Sequence, residues 1–415
     1  MKNGNVRPVR RPVIVSGIGV VSVFGTSHQA FCDALSAGAT GIAPVAAFDT
    51  RACRTRLAAE LRDFQPAAWV PPMKLRRLDR TGVYAVAATK LALEDAGVNV
   101  PADGDDSAGV LFGTWTAGGQ STQQFLDALF RNGPTAAPAL LFDSTVGNSA
   151  AGLTGLEFKL RGPNVTVSHK EASGLAALVG AVDLIREGRA SALIAGGVDA
   201  LFETFYKAHD RFKVMSAEAQ PSRRLAPFDV ERAGFVMGEG AFAFWVEPEG
   251  VRRAARGAIL GVAASSAAVP VNSWPDRPAP LARTMRLALE DADVSPEEVD
   301  VVYASANATS LDAIEARAIA DVFAGASPVV TSLKGALGES GASGSAACAA
   351  ALLCGAVGTV PPIAGLVEAD DSAASLRLAR EPMKAPGPVA LVNSFASGGA
   401  LFSLVVRAQP SDLAT

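Results

Sequence analysis

The stretch Leu91–Val98 reads LALEDAGV, and Leu287–Val294, 196 residues later, reads LALEDADV. Each closes a helical pattern, passes through an acidic turn and enters an apolar run, AGVLFGT at 108–114 in one case and VDVVYASA at 299–306 in the other. Leu, Ala and Glu are good helix formers and recur by chance, but the matching order of elements around the two octapeptides argues for a duplicated unit. Outward from the echo, VIVSGIGVVS, AGVLFGTW, NVTVS, SALIAGG and AFAFWVE read as strands in the first part. GAILGVAAS, VDVVYAS, PVVTS, VALVNS and LFSLVV do so in the second. Helical patterns at 81–96, 120–131, 173–187, 280–292, 311–323 and 340–355 alternate with them. This spacing predicts an α/β protein of right-handed βαβ units, with a mostly parallel sheet covered on both faces. The seam falls in the Gly- and Arg-rich stretch Glu249–Arg256, dividing the chain into halves 1–250 and 251–415.

The chain is 49% apolar and only 19% charged, against about 25% charged for an ordinary soluble protein, so a partner is expected to cover part of its surface. A net charge of −4 argues against a nucleic-acid footprint. Cys32, Cys53, Cys348 and Cys354 fit neither a disulfide framework nor a zinc spacing, and only three histidines could assist a metal. No metal and no dissociable cofactor are expected, and a reducing cytoplasm is the simplest location. Basic Met1–Arg11 before apolar Val13–Gly25 imitates a secretory signal, yet its β-branched, Gly-punctuated apolar part reads as a first buried strand. Ser340–Val367 carries no charge and could span a bilayer by length. Built of Ala, Gly and Ser, it lacks the large aliphatics that drive insertion and reads as a core helix; no membrane is expected.

Eight motifs stand in order: SGIGVVSVFG (16–25), MKLRRLDR (73–80), FGTWTAGG (112–119), RGPNVTVS (161–168), IAGGVDA (194–200), PFDVERAGFVMGEGA (227–241), SLKGALGESGASG (332–344) and NSFASGGA (393–400). Together they resemble the β-ketoacyl synthases of the thiolase-fold condensing enzymes. The resemblance implies a thiolase-like, internally duplicated five-layer α-β-α-β-α fold. It also implies a Cys at a strand-to-helix turn that accepts the acyl chain as a thioester, and two His residues that stabilise the oxyanion while malonyl-acyl carrier protein loses carbon dioxide.

None of the three catalytic groups is present. The elbow reads VSHKEASG, which puts Glu171 at the nucleophile position. Counting eight residues back from Asp312 puts Ala304 at the first His position; the second falls on Glu339, while the family's Lys is retained as Lys334. His28 and His209 lie outside these motifs, and His169 is two residues before the elbow position. A carboxylate that attacked a thioester would give an anhydride that hydrolyses, and loss of one oxyanion donor alone costs about 3–4 kcal/mol. Independent condensation is therefore not expected. The pattern resembles the chain-length factor, the β-subunit of type II polyketide ketosynthase pairs, although that subgroup usually carries Gln where Glu171 stands. This implies pairing with an active ketosynthase subunit and use of an acyl carrier protein, in polyketide or aryl-polyene chain elongation. The rival reading is a stand-alone enzyme with a repurposed Glu171/Lys334/Glu339 site for acyl transfer, hydrolysis or decarboxylation.

If the family geometry holds, Glu171, Glu339 and Lys334 meet. They form either a salt-bridged plug in a dead pocket, an acid–base site with one raised carboxyl, or, with His169, a metal site that the spacing does not favour. In the helix QSTQQFLDALFRNGP, register from Gly118-Gly119 puts Gln120, Gln123 and Asp127 on a substrate tunnel, with Phe125 and Leu129 on the opposite face. Phe395 takes the position of the family's gating phenylalanine. Lys74, Arg76, Arg77 and Arg80, and also Arg252, Arg253 and Arg256, either meet an acidic carrier protein or form a solvated face.

Overall fold

The computed structural model describes residues 11–76, 78–251 and 255–410. In the first half, β1 (Val13–Val21), β2 (Ala108–Gly113), β3 (Asn164–Val167), β4 (Ala192–Asp199) and β5 (Gly240–Pro248) lie in the order β3-β2-β4-β5-β1. In the second, β6 (Gly257–Ser266), β7 (Val301–Tyr303), β8 (Val329–Thr331), β9 (Val389–Phe395) and β10 (Ala400–Ala408) lie in the order β8-β7-β9-β10-β6. Leaving aside the two-residue edge strand Arg377–Leu378 beyond β8, and with each half's strands counted from one, both orders are 3-2-4-5-1. The duplication therefore extends to topology. A short antiparallel pairing of Val13–Val15 with Gly257–Ile259 joins the halves into one continuous sheet.

The seven longest helices among the described residues are α1 (Arg80–Asp95), α2 (Gly119–Asn132), α3 (Ser149–Phe158), α4 (Ser173–Arg186), α5 (Ala279–Ala292), α6 (Leu311–Val322) and α7 (Ser343–Ala356). Helices α1 and α3 cover the outer face of the first half-sheet, and α5 and α6 cover that of the second. Between the half-sheets, α4 and α7 pack on each other and on strands from both sides, giving the layers α-β-α-β-α. Both central helices are apolar nearly all round, as burial on all sides requires. The uncharged stretch at 340–367 contains α7, which is buried over most of its length.

The echoed octapeptides have a shared structural cause. A Cβ on Gly17 of β1 would stand 2.2 Å from the Ala92 carbonyl oxygen, and one on Gly261 of β6 would stand 2.6 Å from that of Ala288. Each helix thus lies directly on the backbone of its strand, where only glycine leaves room. Each strand also has a register irregularity just before that glycine. The next N–H is caught by the echoed aspartate: Ile18 N donates to Asp95 Oδ2 and Val262 N to Asp291 Oδ2, both at 2.9 Å. A cross-half arginine completes each site, Arg256 on Asp95 and Arg186 on Asp291.

One expectation is overturned. The sheet is mixed, not mostly parallel: β1–β5, β4–β5, β9–β10, β6–β10 and β1–β6 are all antiparallel. A strand buried on both faces reads as a continuous apolar run in either orientation, so direction left no mark in the pattern. The turn at 396–399 makes β9 and β10 a hairpin rather than a crossover.

Candidate functional site

Strand β3 ends at Val167, and the chain turns through Ser168 and His169 into a single 3₁₀ turn, Lys170–Ala172, which runs straight into α4. Lys170 sits at φ 52°, the left-handed region that a non-glycine residue rarely occupies. Ser173 Oγ holds the bend, donating to the Lys170 carbonyl at 2.6 Å and accepting from His169 N at 2.9 Å. Below the bend, a Cβ on Gly113 would stand 1.9 Å from the Ser173 carbonyl oxygen. The elbow is therefore sharp, braced and closely backed.

Glu171, at the elbow, is 2% exposed. Its Oε1 accepts from Ser397 Oγ at 2.7 Å and its Oε2 from Ser397 N at 3.2 Å. Lys170 Nζ lies 3.9 Å from Oε1 and donates to Asn272 Oδ1 at 2.6 Å and to the Ser397 carbonyl at 3.0 Å. It also stands over the Trp115 ring, 5.5 Å from its centroid. Burial pushes the Glu171 carboxyl above the usual range, opposed chiefly by Lys170, while burial pulls the Lys170 ammonium below its own. Both carboxyl oxygens are already engaged.

A second cluster sits beside it. Lys334 Nζ donates to Glu339 Oε2 at 2.7 Å and to the Ser305 carbonyl at 2.7 Å, and Asn307 Nδ2 donates to the same Glu339 oxygen at 2.9 Å. Ser305 N and Asn393 Nδ2 both donate to Glu315 Oε1 at 2.9 Å. Burial raises the fully buried Glu315 carboxyl to about 7. Glu171 and Glu339 are close enough to repel, but each has its own cation, Lys170 for the first and Lys334 for the second. What the sequence grouped as one constellation is two adjacent ion pairs.

Several expected positions move. Ala304 lies in the hydrophobic core of the second half, because strand β7 ends at Tyr303 and the chain does not reach the cluster until Ser305 and Asn307. Counting from Asp312 missed both. Phe395 is fully buried in that same core; Ser397, two residues on, is the one that meets Glu171. His169 is exposed and its ring packs on Phe402, with centroids 5.2 Å apart, and joins neither carboxylate. Arg80 is tied to Glu239 at 2.8 Å and to the Tyr84 hydroxyl at 2.6 Å. Lys74 pairs with Glu157 at 2.6 Å, Arg76 is exposed and Arg256 holds Asp95. Arg77, Arg252 and Arg253 lie outside the described residues. In α2, Gln120 and Gln123 are half-buried and Asp127 exposed; the Gln123 Oε1 accepts from Thr204 N at 3.1 Å.

The cavity at the elbow is only about 170 Å³, below the roughly 300–1,000 Å³ usual for ligand pockets. Trp115, His209, Phe235 and Trp274 crowd it, with Trp115 and His209 centroids 4.9 Å apart. None of these was singled out in the sequence, although Trp115 stands inside the FGTWTAGG motif. A larger cavity of about 670 Å³ opens under α1 and α3, lined by Lys74, Leu140, Val146, Leu153 and Leu156. It shares no residue with the elbow. Leu140 and Leu156 of its lining are exposed, as are Phe130 and Phe142, and β3 is one of the sheet's two edge strands. Among the described residues, no helix is long and apolar enough to cross a membrane.

Comparison with known proteins matches this arrangement to one family. Residues 10–249 match the β-ketoacyl synthase N-terminal domain and residues 256–367 the C-terminal domain. The chain is 32% identical to the tetracenomycin polyketide synthase ketoacyl synthase beta subunit of Streptomyces glaucescens, over 95% of this chain and 98% of that one. It is 29% identical to 3-oxoacyl-[acyl-carrier-protein] synthase 2 of Coxiella burnetii, over 96% and 98%. Among solved structures, the ishigamide ketosynthase/chain length factor superposes with a TM-score of 0.88 at 28% identity, covering 96% of this chain and 99% of that one. With the two half-sheets, the braced elbow and matches along both halves, the chain belongs to the β-ketoacyl synthase family.

Proposed function

We propose that this chain is a non-catalytic ketosynthase-like subunit, a chain-length factor, that pairs with an active ketosynthase and shapes the tunnel in which a polyketide or aryl-polyene chain grows from malonyl-acyl carrier protein. One observation carries the reading: at the elbow where the family places its sulfur, Glu171 is buried and its two oxygens are closed by the Oγ–H and N–H of Ser397. A buried carboxyl whose two oxygens are held by Ser397, with Lys170 beside it, is neither a free nucleophile nor a free base. The Lys334–Glu339–Asn307 cluster offers no imidazole, and the cavity is too small for a growing chain.

The surface supports a partner. Phe130, Phe142 and Leu156 are exposed and β3 is an edge strand of the sheet; exposed apolar surface and an unpaired edge each favour association. Relatives named as a polyketide ketoacyl synthase beta subunit and as acyl-carrier-protein synthases indicate the same partners by likeness. The test is Glu171→Gln, which leaves both contacts with Ser397 available. Co-expressed with an intact Cys-His-His ketosynthase and a carrier protein, the variant is expected to give the same product mass and yield as the parent. Loss of product with the complex still intact on size exclusion would assign chemistry to Glu171 and refute the proposal.

A further inference from the structure

Cys32 lies on the helix His28–Ser36 and Cys354 in the last turn of α7, 322 residues apart in the chain. Their sulfurs are 3.3 Å apart. A disulfide needs about 2.05 Å, so roughly 1.2 Å of closure separates the thiol pair from a bond. The other two cysteines have no such neighbour. Cys53 belongs to a separate apolar cluster. Cys348 is six residues from Cys354 on the same helix, about 9 Å along its axis and on another face.

The pair is also asymmetric in the way thiol–disulfide exchange requires. Cys32 is half-buried and Cys354 buried. The Cys354 thiol donates to Cys32 Sγ, and this bond lowers Cys32 below an ordinary thiol while Cys354 is raised. The attacking sulfur is thus the reachable one and the resolving sulfur the protected one. Both lie beside the fully buried Tyr303, the last residue of β7, which leads into Ser305 and the Lys334 cluster.

We propose that Cys32 and Cys354 form a reversible redox site whose disulfide fastens the N-terminal helix to the central layer. The oxidant is a low-molecular-weight disulfide such as glutathione disulfide. The Cys32 thiolate attacks one of its sulfurs, forming a mixed disulfide and expelling one thiolate. Cys354 then loses its proton to solvent and attacks Cys32 Sγ, expelling the second. Two protein thiols are oxidised and one small disulfide is reduced to two thiols.

The test is native incubation with excess glutathione disulfide, followed by thiol counting and peptide mapping. The parent is expected to fall from four free thiols to two, with a Cys32–Cys354 linked peptide, no retained glutathione and full reversal by dithiothreitol. Cys354→Ala should trap one glutathione on Cys32. Cys32→Ser should lose no thiol. A parent that keeps four thiols, or a linkage mapping to any other pair, would overturn the proposal. So would Cys354→Ala without an adduct.

Discussion

Replacing Glu315 by Gln should flatten the dependence of stability on pH. The Glu315 carboxyl is fully buried and raised from 4.5 to about 7, chiefly by desolvation. Below pH 4.5 the folded and unfolded chains both hold the proton, and the group contributes nothing to the pH dependence. Between 4.5 and 7 the folded state keeps a proton that the unfolded state has released, so stability falls by about 1.4 kcal/mol per pH unit. The slope fades through pH 7, and above about pH 8 the penalty is constant, at about 3 kcal/mol in total. Asp312, raised from 3.8 to about 6, adds a slope of the same sign that ends near pH 6. Asp312 and the other buried carboxyls are the same in parent and variant, so the difference between the two proteins isolates Glu315. Gln keeps an oxygen for Ser305 N and Asn393 Nδ2 and carries no proton to lose. Its amide imposes an offset that does not vary with pH. Urea unfolding of both proteins at pH 5, 6, 7 and 8 should show the variant gaining about 1 kcal/mol relative to the parent from pH 6 to 7, and only about 0.4 kcal/mol from 7 to 8. Parallel curves would refute the assignment of a buried proton to Glu315.

Other perturbations follow from the same contacts. Asp291→Ala leaves Val262 N–H without its acceptor and Arg186 without its pair, and should cost about 3 kcal/mol in chemical unfolding. Asp95→Ala, its counterpart in the first half, should cost a similar amount. Lys334→Met strands Glu339 as a buried charge and should cost about 3–5 kcal/mol, with most of the loss recovered in the double variant that also carries Glu339→Leu. Glu171→Cys restores a sulfur to the elbow without its imidazoles, and product analysis of the isolated chain should detect no β-ketoacyl condensation.

The layered order was legible because burial between two half-sheets leaves α7 uncharged and α4 apolar until its last turns, where Asp183 and Arg186 stand. The echo at 91–98 and 287–294 was legible for a local reason: the same Ala–Gly contact and the same aspartate-capped strand irregularity recur in both halves. Strand direction was not legible, since β4 and β5 are buried, nearly continuous apolar runs whichever way they run. At the site, Glu171, Lys334 and Glu339 were found by motif spacing. Asn307 and Ser305 were missed because counting back from Asp312 assumes a fixed loop length between β7 and α6. Ser397 was missed in favour of Phe395, the larger residue, although alternation along β9 turns that ring into the core.

The most direct test of a non-catalytic subunit compares the purified chain with the purified pair, each given malonyl-acyl carrier protein and scored by product mass. The account predicts no condensation product from this chain alone and product from the pair with an intact ketosynthase. β-Ketoacyl product from the chain alone would contradict it.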